Sequence, residues 1–338
     1  MFVCKNCFSD KELRAFIEST GESGNCDICK SEKVVVVNLL ELLEFFQEFL
    51  ENFRRNSNGI PLKSKIQESW SLFSTLNSAS KILNFIITKT NTEIESATDL
   101  VDYKEEIIYN YKYWDVLKEE LKWKRRFIPD IENIKDLGWD GFFNTQFELK
   151  SNHPLFRARV HHQSGQIAHD TKNMMCPKPE ITKGGRANPS GIPFLYLSDN
   201  IDTVLYEVRA SYLDELSIGE FRLKEKFKKI KIVDFTEDTV LFQPGQVSET
   251  IKSRLLRDRI SRDLSKPMKR YDTEIEYIPT QFICEFIKIF TGASGIRFTS
   301  SLHPEGNNVV IFDQFKMECT KVSLKKVSLV SLGSTEIK

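Results

Sequence analysis

Four cysteines in two tight pairs constrain this chain more than any other feature. Two residues separate Cys4 from Cys7 and two separate Cys26 from Cys29, with 18 residues between the pairs. That spacing lets both thiolates of a pair reach one tetrahedral ion at about 2.3 Å, and the metal replaces the core that so short a segment cannot build. A closed, structural zinc site on Cys4, Cys7, Cys26 and Cys29 is therefore expected, in a knuckle over residues 1–33. Between the pairs, Ser9-Asp10-Lys11-Glu12 is a capping pattern for a short helix through Phe16, and Gly21-Glu22-Ser23-Gly24 turns the chain back. The cysteines number seven, an odd total that suits metal binding in a reducing compartment and not a disulfide framework. The first residues lack the succession of a secretory leader, so a cytoplasmic location is expected.

With 338 residues and about 150 per domain, two or three domains are expected. Hydrophobic residues at 40% against 28% charged exclude wholesale disorder. Lys+Arg and Asp+Glu balance at 48 each, so no global field draws the chain to nucleic acid or anionic lipid. Its apolar runs, such as Val34–Val37, fall far short of the roughly 18 residues of a membrane span, and no membrane partner is expected.

From Asn38, a plausible N-cap, Leu39, Leu42, Leu43, Phe46, Leu50 and Phe53 recur at helical spacing. Similar patterns at Ile66–Leu76, Ala79–Ile87 and Ile107–Leu121 predict an all-helical domain over residues 34–149. Beyond Pro129 short β-rich runs alternate with helical ones, predicting a mixed α/β domain over residues 150–338 and an α+β chain as a whole. Basic and aromatic residues interleave at Tyr109–Trp114 and Lys122–Arg126, and Arg254, Arg257, Arg259 and Arg262 share one predicted helix. Such aromatics pack mostly in cores while bases snorkel to solvent, so nucleic-acid binding is possible but not favoured.

The residues that carry chemistry lie in the last half. In Gly184-Gly185-Arg186-Ala187-Asn188-Pro189-Ser190-Gly191 the glycines let backbone N–H groups approach an anion, and Arg186 adds a bidentate charge. The loop matches neither the dinucleotide fingerprint nor the phosphate-binding loop. Around it stand, in order, Leu155-Phe156-Arg157-Ala158-Arg159, Leu195-Tyr196-Leu197-Ser198, Leu205-Tyr206-Glu207-Val208, Tyr277-Ile278-Pro279-Thr280-Gln281, Gly295 to Ser301, and Pro304 to Asn308.

This ordered series resembles the RES domain family, named for its Arg, Glu and Ser, over roughly residues 150–315. The preceding region resembles the helical segment that accompanies RES domains in some larger chains. The resemblance implies a fold related to ADP-ribosyltransferases and a toxin of a bacterial toxin-antitoxin system that breaks the nicotinamide–ribose bond of NAD+. It implies Arg157 as the family's arginine, Glu207 as its glutamate and Ser300 as its serine, with Arg159 and Ser301 as neighbouring alternatives. NAD+, the substrate, would be held by Gly184, Gly185, Arg186 and Asn188, with Tyr196 or Tyr206 stacked on nicotinamide. An antitoxin or another protein regulator is the implied partner. The chain departs from the family in having Ala187 where Trp is common and no Tyr between Arg157 and Gly184, an interval that holds His161, His162 and His169. Two chemistries stay open, depletion of NAD+ through water or phosphate and mono-ADP-ribosylation of a protein or nucleic acid. The competing expectation is an inactive zinc-containing binding or sensing protein.

Overall fold

The structure, a computed structural model, describes residues 1–144, 146–237, 240–267 and 274–330. The last residues of the expected C-terminal domain, 331–338, lie outside that set. Two compact units emerge, Met1–Tyr113 with Asp238–Leu256, and Trp114–Glu237 with Arg257–Lys338.

The first unit opens with β1 (Phe2–Cys4), α1 (Lys11–Thr20), β2 (Glu22–Gly24) and β3 (Val34–Asn38), in which β3 pairs antiparallel with both other strands. Asp10 starts α1, its Oδ1 accepting the Leu13 N–H at 2.9 Å, and the helix runs on past the expected Phe16 to Thr20. Asn38 is the cap its position predicts. Its Oδ1 accepts from the Leu40 N–H and its own N–H donates to Glu41 Oε1, both at 3.1 Å, which begins a 3-10 turn leading into α2 (Leu43–Leu50).

Then follow β4 (Phe53–Pro61), α3 (Leu62–Trp70), α4 (Leu76–Ile87) and β5 (Leu100–Tyr103). The segment expected to be all-helical thus also holds an antiparallel ribbon, with Phe53 opposite Tyr103. Nothing local announces it, because Arg54-Arg55-Asn56-Ser57-Asn58 lacks apolar alternation and the partner strand lies far along the chain. Arg55 pairs with Asp99 at 2.8 Å and Lys65 with Asp102 at 2.7 Å alongside it. Phe45, Phe46, Phe49 and Phe73 are fully buried at the centre of this unit.

The second unit is built on one eight-stranded sheet. Its elements are α5 (Glu105–Trp123), of which Trp114 onward belongs here, α6 (Ile131–Asp136), β6 (Gln146–Lys150), β7 (Leu155–Val160), β8 (Leu195–Ser198), α7 (Ile201–Glu207), β9 (Glu215–Leu223), β10 (Lys229–Asp234), the C-terminal end of α8 (Val247–Ser265), α9 (Ile278–Phe290), β11 (Gly295–Thr299), β12 (Asn307–Ile311) and β13 (Met317–Lys326). Strand order is β13-β9-β7-β8-β12-β11-β10-β6, antiparallel throughout except for β10 beside β11. Alternation along the strands gives the sheet two apolar faces. Leu155, Leu195, Leu197, Val309 and Ile311 fill one, while Ala158 and Ile218 meet Val204 of α7 on the other.

The interleaved aromatics and bases are largely used within the units. Trp114 is fully buried and donates Nε1–H to Asp263 at 2.6 Å. The four arginines of α8 do not form one free face: Arg254 lies 4.7 Å over the Trp70 ring, Arg257 is buried with Nη2 donating to the Asp234 carbonyl, and Arg259 pairs with Asp115. No helix among the described residues is long and apolar enough to cross a membrane.

The capping box at Asn38 carries a direct test. Asn38→Ala removes the acceptor and is expected to lower unfolding free energy by about 1 kcal/mol, read by chemical denaturation, whereas a loss near zero would show that the cap contributes nothing.

Candidate active site

Strand register decides which side chains meet. Ser198 and Asn308 are direct partners across β8 and β12, and Tyr196, two residues from Ser198, shares their face. Above that face α7 starts where the Asn200 side chain accepts the Asp202 N–H at 2.7 Å, and it ends on Glu207. Glu207 remains solvent-accessible, yet its Oε1 accepts two hydrogen bonds, from Ser300 Oγ and from Asn308 Nδ2, both at 2.7 Å. Ser198 Oγ in turn donates to Asn308 Oδ1 at 2.7 Å.

Ser300 is only 2% exposed, and its Oγ also accepts the N–H groups of Leu302 and His303 at 3.2 and 3.1 Å. Its hydroxyl is saturated, so Ser300 holds Glu207 and does not face the cavity; the neighbouring Ser301 lines it. The turn between β11 and β12 is locked by the Ser300 N–H to the Gly306 carbonyl at 3.0 Å and by Thr203 Oγ1 against His303 Nδ1 at 2.9 Å. Gly306 has no substitute here, since a Cβ would lie 1.8 Å from Thr203 Oγ1.

Glu207 stands at a cavity of about 300 Å³ whose lining includes Phe156, Arg157, Arg186, Tyr196, Ser301 and Asn308. The two arginines differ. Arg186 donates to the Leu264 carbonyl, and burial pushes its guanidinium below the ordinary value while Tyr277 and the Glu207 carboxylate act the other way. Arg157 takes the side of β7 shared by Leu155 and Arg159, opposite to Phe156 and Ala158. It contributes to the cavity wall, but its guanidinium sits beside the Cys176 thiol; burial holds it below its ordinary value, and Nη1 is buried without a partner.

The glycine loop braces the site with the N–H groups of Gly184, Gly185 and Ala187 turned inward to its own contacts. Gly185 N–H bonds the Asn188 carbonyl at 2.8 Å and Gly184 N–H bonds Ser190 Oγ at 3.0 Å. Asn188 Nδ2 donates to the Ile192 and Pro189 carbonyls at 2.9 and 3.0 Å, and its Oδ1 accepts from Tyr196 Oη at 2.8 Å. The expectation that Gly184, Gly185 and Asn188 hold an anion therefore meets polar groups already spent inside the loop. Gly185 is required for close approach, as a Cβ there would come 2.7 Å from Tyr196 Oη. Tyr196 Oη also accepts the Ala187 N–H at 2.9 Å, leaving its ring to line the cavity, while Tyr206 stacks on His303 with centroids 5.1 Å apart. Arg186 is held from behind, its carbonyl accepting from Thr280 Oγ1 at 2.6 Å.

His161 and His169 face each other at 5.0 Å between centroids, and His161 Nε2 lies 2.8 Å from Ser217 Oγ. Among the described residues they complete no group of three metal-type ligands; Cys4, Cys7, Cys26 and Cys29 do, all four Sγ lying within 4.8 Å of one another. The separations of Cys4 from Cys29, 3.5 Å, and of Cys7 from Cys26, 3.6 Å, approach the edge of about 3.8 Å that a tetrahedron with Zn–S bonds of about 2.3 Å requires. Burial pushes the Cys4 thiol up to about 11, and burial with the neighbouring Cys26 pushes Cys7 higher still, so a metal bound here would displace protons from both. The donor set fits a structural four-thiolate zinc.

Residues 154–329 match the family described as RES domain. A chain of the crystal structure of the M. tuberculosis MbcT–MbcA toxin–antitoxin complex is similar at 12% identity, covering 54% of this chain and 87% of that one, with a TM-score of 0.29. No curated protein matches.

Two outcomes follow from this geometry. Gly306→Ala is expected to displace the turn that holds Ser300 and to lower the melting temperature by several degrees at least; an unchanged melting curve would contradict the clash. Elemental analysis of purified protein is expected to find about one zinc per chain, lost in a Cys4→Ser/Cys7→Ser variant, and wild-type protein purified without metal would refute the site.

Proposed function

We propose, on the premise that the chain belongs to the RES domain family, that it is a toxin-like enzyme that cleaves the nicotinamide–ribose bond of NAD+. The observation that carries this reading is the Glu207 carboxylate, held on one oxygen by Ser300 and Asn308 beside a cavity walled by two arginines. Cleavage is heterolytic: the bonding pair leaves with nicotinamide, cancelling its ring charge, and the ribose becomes an oxocarbenium ion. A fixed carboxylate next to the ribose stabilises that cation and orients the 2′-hydroxyl, the role carboxylates take in glycoside cleavage. Glu207 supplies it. Arg186 is placed for the diphosphate, and Tyr196 offers a ring to the nicotinamide. An acceptor oxygen then adds to the ribose carbon and loses its proton; with water the products are ADP-ribose and H⁺. In this reading the cysteine knuckle holds structural zinc, residues 34–149 serve regulation or docking, and residues 150–338 are catalytic.

Purified protein incubated with NAD+, phosphate and cell lysate tests the reading, with products identified by mass spectrometry. NAD+ loss is expected in the wild type and reduced by about 10²-fold or more in Glu207→Gln. Free ADP-ribose or its phosphate would assign depletion, whereas a fixed mass increase on a macromolecule would assign transfer. Equal rates in both proteins, or none in the wild type, would overturn it.

A further inference from the structure

We propose that Asn308 is a positioning residue that aims the second carboxylate oxygen of Glu207 at the substrate, and that Ser198 acts through Asn308. The proposal rests on the catalytic reading of Glu207 above. Its basis is how the hydrogen bonds divide between the two oxygens. Oε1 accepts from Ser300 and Asn308, both at 2.7 Å, and Oε2 accepts from no described residue. Two donors arriving from different places, Ser300 in the turn after β11 and Asn308 on β12, fix both the position and the rotation of the carboxylate. Oε2 is left as the oxygen able to meet a ribose hydroxyl or the developing cation.

An asparagine amide can do this only in one orientation. Turned over, it would present its own oxygen to the carboxylate, acceptor against acceptor. The carboxylate, which only accepts, imposes that one orientation, and Ser198 completes it, its hydroxyl donating to Asn308 Oδ1 at 2.7 Å while Nδ2 donates to Glu207. The relay is built into the sheet, since Ser198 and Asn308 are register partners and neither side chain is needed for the backbone ladder between β8 and β12. Asn308 is also an unusual choice for a strand interior next to Val309-Val310-Ile311, where an apolar or β-branched residue would pair better.

The test is steady-state NAD+ consumption by the full chain. Asn308→Ala is expected to lower kcat about ten- to a hundredfold, the effect of losing one hydrogen bond to a charged group, with KM moving less than about threefold. Ser198→Ala is expected to lower kcat by a smaller factor, and Ser198→Ala/Asn308→Ala to be no slower than Asn308→Ala alone, because the serine has no route except the amide. Asn308→Asp keeps the size and the Ser198 contact but offers no donor. It is expected to be at least as slow as Asn308→Ala, which keeps the test open should the alanine variant fail to fold. Wild-type kcat in either Asn308 variant, a loss seen only in KM, or a Ser198 effect that multiplies onto Asn308→Ala would overturn the proposal while Glu207→Gln could still abolish turnover. An inert wild type would instead remove the reading of Glu207, and this inference with it.

Discussion

The pairing of β8 with β12 is the constraint from which the site follows. Its register sets Ser198 opposite Asn308 and turns Tyr196 to the same face, and a slip of β8 by one residue would send Ser198 and Tyr196 to the side away from Asn308. The pairings of β12 with β11 and of β8 with β7 extend that order, bringing Phe298 and Phe156 to the cavity. Short polar contacts then transfer the precision of the sheet to a helix end. Glu207 sits at the last residue of α7, where a side chain would otherwise be free to sample rotamers, and two donors rooted at β11 and β12 hold it.

The loops around the sheet work by close approach more than by their own binding groups. Gly306 and Gly185 each lie where a methyl group would strike a side-chain oxygen, of Thr203 in one case and Tyr196 in the other. Both contacts tighten a segment that carries or supports a site residue: Ser300 in the turn before β12, and Arg186 in the loop before β8. The positive charge is likewise divided, with Arg186 in the wall of the cavity that Glu207 also lines and Arg157 buried next to Cys176 with one donor unspent.

Much of this was legible in the sequence where the signal is local. The two cysteine pairs cluster as their spacing requires, Asn38 and Asp10 cap the turns they precede, and the ordered Arg, Glu and Ser segments come from one sheet-based unit. What stayed hidden depends on residues distant in the chain. The β4–β5 ribbon joins a polar run to a strand some turns of helix later, so no periodicity reveals it. The bond from Ser198 to Asn308 spans 110 residues, and only the fold makes a partner of a strand asparagine. The glycine loop is ambiguous in sequence for a physical reason: glycine permits both anion contact and tight internal turns, and here the N–H groups of Gly185 and Gly184 close on Asn188 and Ser190.

The role of Glu207 turns on whether the side chain of residue 207 meets the ribose. A crystal structure of the Glu207→Gln variant with intact NAD+ measures this directly. Nicotinamide is expected in the cavity beside Tyr196, the ribose 2′-hydroxyl within about 2.6–3.2 Å of the residue 207 side chain, and the diphosphate against Arg186. NAD+ bound elsewhere, or seated in the cavity with its nicotinamide riboside turned away from residue 207, would contradict it.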